Sequence, residues 1–496
     1  MKTETIKAST FLAVVLGVLF TVQARAGDSQ DLQSELRQRR NAIMESMAHT
    51  GMLILFSGLP KSYSGDVEYE YRQENNFHYL TGLRQANSTL VLMPQNEKYR
   101  EILFVPEKDP LRELWTGKML SQQEARDLSG IETVWLASRF DAFLDRVLYG
   151  RPYGAGRYSD SQEYRGFFAD LARGEAKIFL LLEPKPGLKG RLGQSHVFAE
   201  RLRERFGGIT IRDVAPKLNR LRMNKSVFER NQLRKAIDIT VEAHREVLKR
   251  LRPDQWEYEI EALVEYTFKR KGAVQWAFPS IVASGPNATI LHYQKSLRQG
   301  LSGELLLLDI GAEYNFYAAD LTRTVPISGR FSPQQAQIYE LVLGAQKAAM
   351  AEVRPGSSLP QIHDVAVEVI REGLSRLGLI ADKSSRQYRA FFPHGVGHWL
   401  GMDVHDVGPY DQKFEPGMIL TIEPGIYVRE DAPERLAELG AEPEAIDSIR
   451  TRLAKYRHIG VRIEDDVMVT KEGYELLSAA APREICDIEA MMRGGR

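Results

Sequence analysis

Two aspartates, Asp309 and Asp320, stand in LLLLDIGAEYNFYAADLTRTV, residues 305 to 325, which otherwise reads as buried β-strand. A carboxylate in apolar surroundings is expensive unless something positive meets it. Glu423 in MILTIEPGIYV and Glu464 in GVRIEDDVMVT are flanked by alternating apolar residues, which predicts that both project from strands. If Tyr314-Asn315 forms a two-residue hairpin loop, Asp309 faces Asp320 with Cβ atoms roughly 4.5–5.5 Å apart. Such a pair either shares a proton or holds a cation between its members. Four acids in one sheet core without cations would be strongly destabilising. HGVGHWLGMDVHDVG carries three of the chain's ten histidines, His394, His398 and His405, and can add an imidazole. Two Asp, two Glu and one His form an oxygen-rich donor set that suits Mn²⁺, Co²⁺ or Zn²⁺. Several carboxylates around a small space favour two ions roughly 3.5–4 Å apart with carboxylates bridging them.

Positioning these residues requires strands in the second half of the chain: SIVASG, ELLLLDIGA, MILTIEPGIYV and GVRIEDDVMVT, alternating with helical stretches. The first half, from a helical segment at Asp31 to His49 through the apolar runs GMLILFSG, STLVLMP, EILFVPEK and KIFLLLEP, reads as an α/β domain with a mixed sheet. Gly207 to Ser226 reads as the passage between domains. Ser226 is a plausible N-cap for a long helix from Val227 to about Leu251, stopped by Arg252-Pro253. The expected organisation is therefore 1–26 as a leader, 27–222 as an N-terminal domain and 223–496 as a second domain. No short-period repeat or low-complexity tract intervenes.

Lys+Arg and Asp+Glu both number 66, so the formal net charge is zero, which argues against nucleic acid as the main partner. Lys2 and Lys7, the apolar run Phe11 to Val22 and Ala24-Arg25-Ala26 form a secretory signal pattern, with the mature chain starting near Gly27. The run is shorter than the ~20 residues a spanning helix needs. An exported protein, periplasmic or secreted, with no membrane span after cleavage is expected. The single cysteine, Cys486, cannot form a disulfide within the chain.

DIGAEYNFYAADLTRTV, HGVGHWLGMDVHD, TIEPGIYV and GVRIED together resemble the signature segments of the pita-bread metallopeptidases, in particular the proline-specific branch of aminopeptidase P and prolidase. The resemblance covers roughly Met223 to Leu477, and DVEYEYRQENNFHYLTGL resembles part of the N-terminal domain of aminopeptidase P. It implies an α/β (α+β) chain: a mixed-sheet α/β domain followed by a C-terminal pita-bread domain of the creatinase/aminopeptidase type. Asp309 would then chelate one ion, Asp320 and Glu464 would bridge two, and His398 would bind the second. Glu423 would both bind metal and act as general base. His292 and His405 would assist catalysis, and His292, His394, His405, Tyr427 and Arg462 would line the substrate pocket. Two divalent ions, Mn²⁺ first with Co²⁺ or Zn²⁺ as alternatives, would serve an Xaa-Pro aminopeptidase acting on peptides, in a homo-oligomer. A prolidase restricted to Xaa-Pro dipeptides and a non-catalytic pita-bread binding module are the alternatives. Arg429 to Ile459, polar and charged, is expected to be a surface excursion.

Overall fold

The computed structural model describes residues 31–47, 51–151, 164–182 and 192–495. The expected leader, 1–26, lies outside them, and no helix among the described residues is long and apolar enough to cross a membrane. The chain divides into two compact units, Met1–Leu221 and Arg222–Arg496.

The first unit is built on a six-stranded mixed sheet. Its strand order is Thr133–Leu136, Glu101–Val105, Thr89–Leu92, Met52–Phe56, Lys177–Leu180 and Thr210–Asp213. Antiparallel pairing holds the middle three together, and parallel pairing extends the sheet on both sides. The apolar runs seen in the sequence supply its buried residues, among them Ile54, Val91, Phe104 and Ile178. The segment read as an inter-domain passage is structured. Thr210–Asp213 is the sheet's last strand and Ala215–Met223 is a helix, because Ile211 pairs beside Ile178 and Val214 and Leu218 are buried.

The second unit opens with the helix Val227–Arg250. Ser226 caps it through a reciprocal pair: its hydroxyl accepts from the Glu229 amide at 3.2 Å, and Glu229 Oε2 accepts from the Ser226 amide at 3.0 Å. Its buried stripe includes Leu233, Ala236, Ile237, Val241, Val247 and Leu248. Thr240 Oγ1 accepts from the Ala312 amide at 3.0 Å, and His244 Nε2 donates to the Leu321 carbonyl at 3.1 Å. This helix therefore buttresses the chain on both sides of Asp320.

Leu305–Ile310 is the central strand of a sheet flanked by Ile281–Ser284 and Leu321–Pro326, both antiparallel to it. The hairpin register differs from the expected one. The loop is Asn315-Phe316, with positive φ at both residues (48° and 72°), closed by Tyr314 opposite Tyr317. Moving the turn by one residue moves the pairing by two. Asp309 therefore faces Thr322 rather than Asp320, and Asp320 lies just before the Leu321–Pro326 strand. A shift of two keeps the same face, so Asp309 and Asp320 remain diagonal neighbours on one side of the sheet.

Glu423 and Glu464 do not project from strands either. Each occupies a two-residue break, Glu423-Pro424 between Ile419–Ile422 and Gly425–Tyr427, and Ile463-Glu464 between Gly460–Arg462 and Asp465–Val469. The Glu423 amide donates to Val396 O at 2.7 Å and the Glu464 amide to Thr322 O at 3.1 Å. Each break is thus satisfied by another segment of the site rather than by its own ladder.

Arg429 to Ile459 is not a surface excursion. It forms two helices, Ala432–Glu438 and Pro443–Tyr456. Leu436, Ile446, Ile449, Leu453 and Tyr456 join the main core of the unit. Burial of each of the larger apolar side chains stabilises by about 1.5–3 kcal/mol, ample to fold such a segment onto the domain.

Candidate metal centre

Asp320, His398 and Glu464 are all buried, and one ligand atom from each lies within 4.8 Å of the other two. His398 Nε2 is 3.3 Å from Asp320 Oδ2 and 3.4 Å from Glu423 Oε1. His398 Nδ1 lies 3.0 Å from the Trp399 carbonyl, which can only accept. Nδ1 therefore donates to that carbonyl, which leaves Nε2 directed at the carboxylates, the orientation in which an imidazole binds a metal. Asp309 Oδ1 is buried with no hydrogen-bond partner. Burial, reinforced by Asp309 and Glu423, holds the Asp320 carboxyl well above the usual carboxylate range. Burial followed by Asp320, Glu423 and Asp309 does the same to Glu464. Burial also raises Glu423, against the pull of His398 and Arg462. An orphaned oxygen, an imidazole nitrogen turned toward the acids and mutually repelling carboxylates together form a setting that divalent cations would relieve. The donor set fits such ions.

Neighbouring residues fix these side chains. Thr322 Oγ1 donates to Glu464 Oε2 at 2.7 Å, and Thr421 Oγ1 donates to Glu423 Oε1 at 3.3 Å while accepting from the His398 amide at 3.2 Å. Asp466, buried beside Glu464, accepts from the Asp320 amide at 3.3 Å. Beneath Glu464, Arg323 donates to its carbonyl at 2.5 Å and to Asp465 at 2.6 Å. Gly397 lets the histidine segment pass directly over a strand: a Cβ there would sit 2.0 Å from the Thr421 carbonyl oxygen.

The sequence reading missed the two threonines, which look like ordinary strand formers. Thr322 was findable, since it follows Asp320 by two residues and so shares its face.

Arg462 links the acids to the pocket wall. It donates to Asp309 Oδ2 at 2.5 Å, to Tyr427 Oη at 2.8 Å and to Thr322 Oγ1 at 3.2 Å. Burial opposes its charge, but Tyr427 and the carboxylates of Asp309, Glu423 and Glu464 outweigh burial and hold its pKa well above the ordinary value. The Tyr427 hydroxyl in turn lies 2.8 Å from His394 Nε2, and His394 Nδ1 lies 2.8 Å from the Gly395 carbonyl. His394 therefore carries its proton on Nδ1 and accepts from tyrosine. Burial and then Arg462 push its pKa down to about 3, so it is neutral.

One cavity of about 400 Å³ gathers Asp309, Asp320, His398, Glu423 and Glu464 with His292, His394, His405 and Arg462. Tyr427 stands behind this wall, completing the Arg462–His394 link. His292 and His405 are exposed at the cavity. His405 packs edge-on against His398 with ring centroids 4.3 Å apart. Burial, then His398 and His292, lower its pKa to about 4. Phe278, Ile281, Leu291, Val404 and Tyr410 add apolar lining to the cavity that the sequence did not reveal.

Residues 231–471 match the model of metallopeptidase family M24, and residues 36–153 match that of the aminopeptidase P N-terminal domain. The Xaa-Pro aminopeptidase of Haemophilus influenzae is 34% identical over 470 residues, covering 93% of this chain and 97% of the relative. That of Escherichia coli is 33% identical over 478 residues, covering 94% and 99%. Among solved structures, Pseudomonas aeruginosa aminopeptidase PepP superposes with a TM-score of 0.77 at 35% identity, covering 93% of this chain and 98% of the other. Escherichia coli aminopeptidase P with the inhibitor Pro-Leu gives a TM-score of 0.78 at 31% identity, covering 94% and 99%. With both family models matched in order and relatives aligned nearly end to end, this chain belongs to metallopeptidase family M24, in the group of Xaa-Pro aminopeptidases that carry the aminopeptidase P N-terminal domain.

Proposed function

We propose that this protein is an exported, dinuclear metallo-aminopeptidase that releases the first residue of peptides whose second residue is proline. The observation that carries the reading is the convergence of Asp320, His398 and Glu464 beside the orphaned oxygen of Asp309. Asp309, Asp320, His398, Glu423 and Glu464 would hold two ions, with Mn²⁺ favoured by the oxygen-rich donor set. When bound, the ions supply Lewis acidity toward the scissile carbonyl and make water acidic enough to attack near neutral pH.

The chain's own residues do the rest. Glu423 Oε1 lies beside His398, and Oε2 is 4.0 Å from His394 Nδ1, so this carboxylate faces the cavity from its strand break. A carboxylate so placed can take a proton from the attacking water and deliver it to the leaving nitrogen. His405 is neutral at physiological pH and, with His292, offers an N–H to the carbonyl oxygen as charge develops there. The Arg462–Tyr427–His394 link fixes the wall against which the peptide lies. The apolar lining residues, Phe278, Ile281, Leu291, Val404 and Tyr410, suit the pyrrolidine ring, and removal of that ring from water favours binding. The signal-like sequence before residue 27 supports export, and the whole-chain likeness to Xaa-Pro aminopeptidases supports the proline preference.

The test is a panel of Arg-Pro-Pro-type tripeptides, Xaa-Pro dipeptides and Xaa-Ala controls, assayed with Mn²⁺, Co²⁺ or Zn²⁺. Release of the first residue from the proline tripeptides supports the reading. Cleavage of dipeptides alone identifies a prolidase, and no cleavage with any metal identifies a binding module.

A further inference from the structure

Glu257 is the first residue of the helix Glu257–Arg270 and is almost fully buried, 1% exposed. It lies far from the acids in sequence and does not line the cavity. Its carboxylate nevertheless receives five hydrogen bonds, all from the segment Ser284 to Arg298. Oε1 accepts from the Ser284 amide at 2.7 Å, the Ser284 hydroxyl at 2.8 Å and Asn287 Nδ2 at 3.0 Å. Oε2 accepts from the Tyr293 hydroxyl at 2.8 Å and the Arg298 amide at 2.9 Å. Arg298 closes the ring, donating to Ser284 Oγ at 2.9 Å and, through both terminal nitrogens, to Glu304 at 2.7 and 2.6 Å.

The tied segment carries His292 between its two fastenings. His292 is exposed, and no regular element spans it; the residue after it, Tyr293, is buried and bonded to Glu257. The imidazole therefore depends on its neighbours' anchorage for its place at the cavity.

We infer that Glu257 is a positioning residue for His292, holding the His292 segment through Tyr293, Ser284 and Arg298. The inference rests on the proposed role of His292. A carboxylate is needed because each oxygen receives a main-chain N–H, from Ser284 on one side and Arg298 on the other. These donors cannot reverse. A glutamine, whichever way its amide turns, sets an NH₂ against one of them.

The test compares Glu257→Gln, Tyr293→Phe, His292→Ala and the doubles with His292→Ala, measuring kcat and KM on an Xaa-Pro tripeptide, metal content, and amide hydrogen exchange. Glu257→Gln is expected to lower kcat on the order of 10²-fold by displacing His292. Tyr293→Phe, which removes one donor and keeps the carboxylate, should lower it roughly tenfold. Both should leave metal content unchanged and speed exchange in residues 285–298 while exchange in Val227–Arg250 stays as in the wild type. In the His292→Ala background both effects on kcat should vanish. If His292→Ala alone leaves kcat unchanged, the role given to His292 fails and the inference falls with it. If His292→Ala lowers kcat but the Glu257 and Tyr293 effects persist undiminished beside it, the His292 role stands and the inference is overturned. If Glu257→Gln does not fold, Tyr293→Phe decides by the same criteria.

Discussion

Arg462→Met removes the guanidinium that contacts Asp309, Tyr427 and Thr322 in the middle of the acid cluster. All three bonds are donated by the guanidinium and so are charge-assisted, each contributing about 1.5–3 kcal/mol. Breaking a buried pair by removing one partner costs about 3–5 kcal/mol, since the other charge is left without compensation. At roughly 2–4 °C per kcal/mol for a large domain, the metal-free variant should melt about 6–20 °C below the metal-free wild type. The loaded protein should behave differently. Cations among Asp309, Asp320, Glu423 and Glu464 would neutralise the same carboxylates, and binding to the native state alone would add about 4 kcal/mol at a thousandfold excess over Kd. The deficit of the variant should therefore shrink to a few degrees in saturating Mn²⁺. The assay is calorimetric melting of both proteins after chelation and again with Mn²⁺ restored. An equal deficit in the two conditions would refute the claim that Arg462 and bound cations serve the same charges.

Glu423→Gln should keep the fold by circular dichroism and lose about 10²–10⁴-fold in kcat; wild-type turnover would sink the base assignment. Gly397→Ala places a Cβ 2.0 Å from the Thr421 carbonyl and must displace the His398 segment, so a calorimetric Mn²⁺ titration should show at least about a tenfold loss of affinity with the domain still folded. Asp406, one residue beyond His405, is buried between Arg222 and Lys225 at 2.6 and 3.0 Å; burial pushes its pKa up, but these two cations outweigh it and hold it below the usual carboxylate range. A folded pKa below the unfolded one means stability that is full above about pH 4 and lost as pH falls through the folded value. The stability gap between wild type and Asp406→Asn in urea should thus be constant from pH 8 to 5 and narrow below about pH 4; a gap that widens in acid would contradict the sign.

Much of the centre was legible because burying an acid in a strand-like run is costly enough to announce a purpose. Asp309, Asp320, Glu423 and Glu464 stood out for that reason alone, and the histidine segment completed the set. The hairpin shows where such reading fails and why the failure was mild. Phe316 adopts a positive φ, which an aromatic residue does not advertise, so the sequence pattern points to a turn one residue too early. The slip preserved the face, and the two aspartates stayed together even though their pairing was wrong. The breaks at Glu423-Pro424 and Ile463-Glu464 were hidden because apolar alternation continues through them. Pro424, which cannot donate to a ladder, was the available signal. In Arg429 to Ile459 the polar surface drew the eye from Ile446, Ile449, Leu453 and Tyr456, whose spacing of three and four marks a buried helix face. What the sequence could not disclose was the support by side chains remote in the chain, Thr322 under Glu464 and Glu257 under the His292 segment, which only the fold brings together.

The central claim is that these five side chains hold two divalent ions. Inductively coupled plasma mass spectrometry of the Mn²⁺-reconstituted wild type and Asp309→Ala, desalted and assayed on the same Xaa-Pro tripeptide, tests it most directly. About two ions per active wild-type chain and about one per folded, inactive Asp309→Ala chain are expected. Full wild-type activity with no bound ion, or two ions retained in Asp309→Ala, would contradict it.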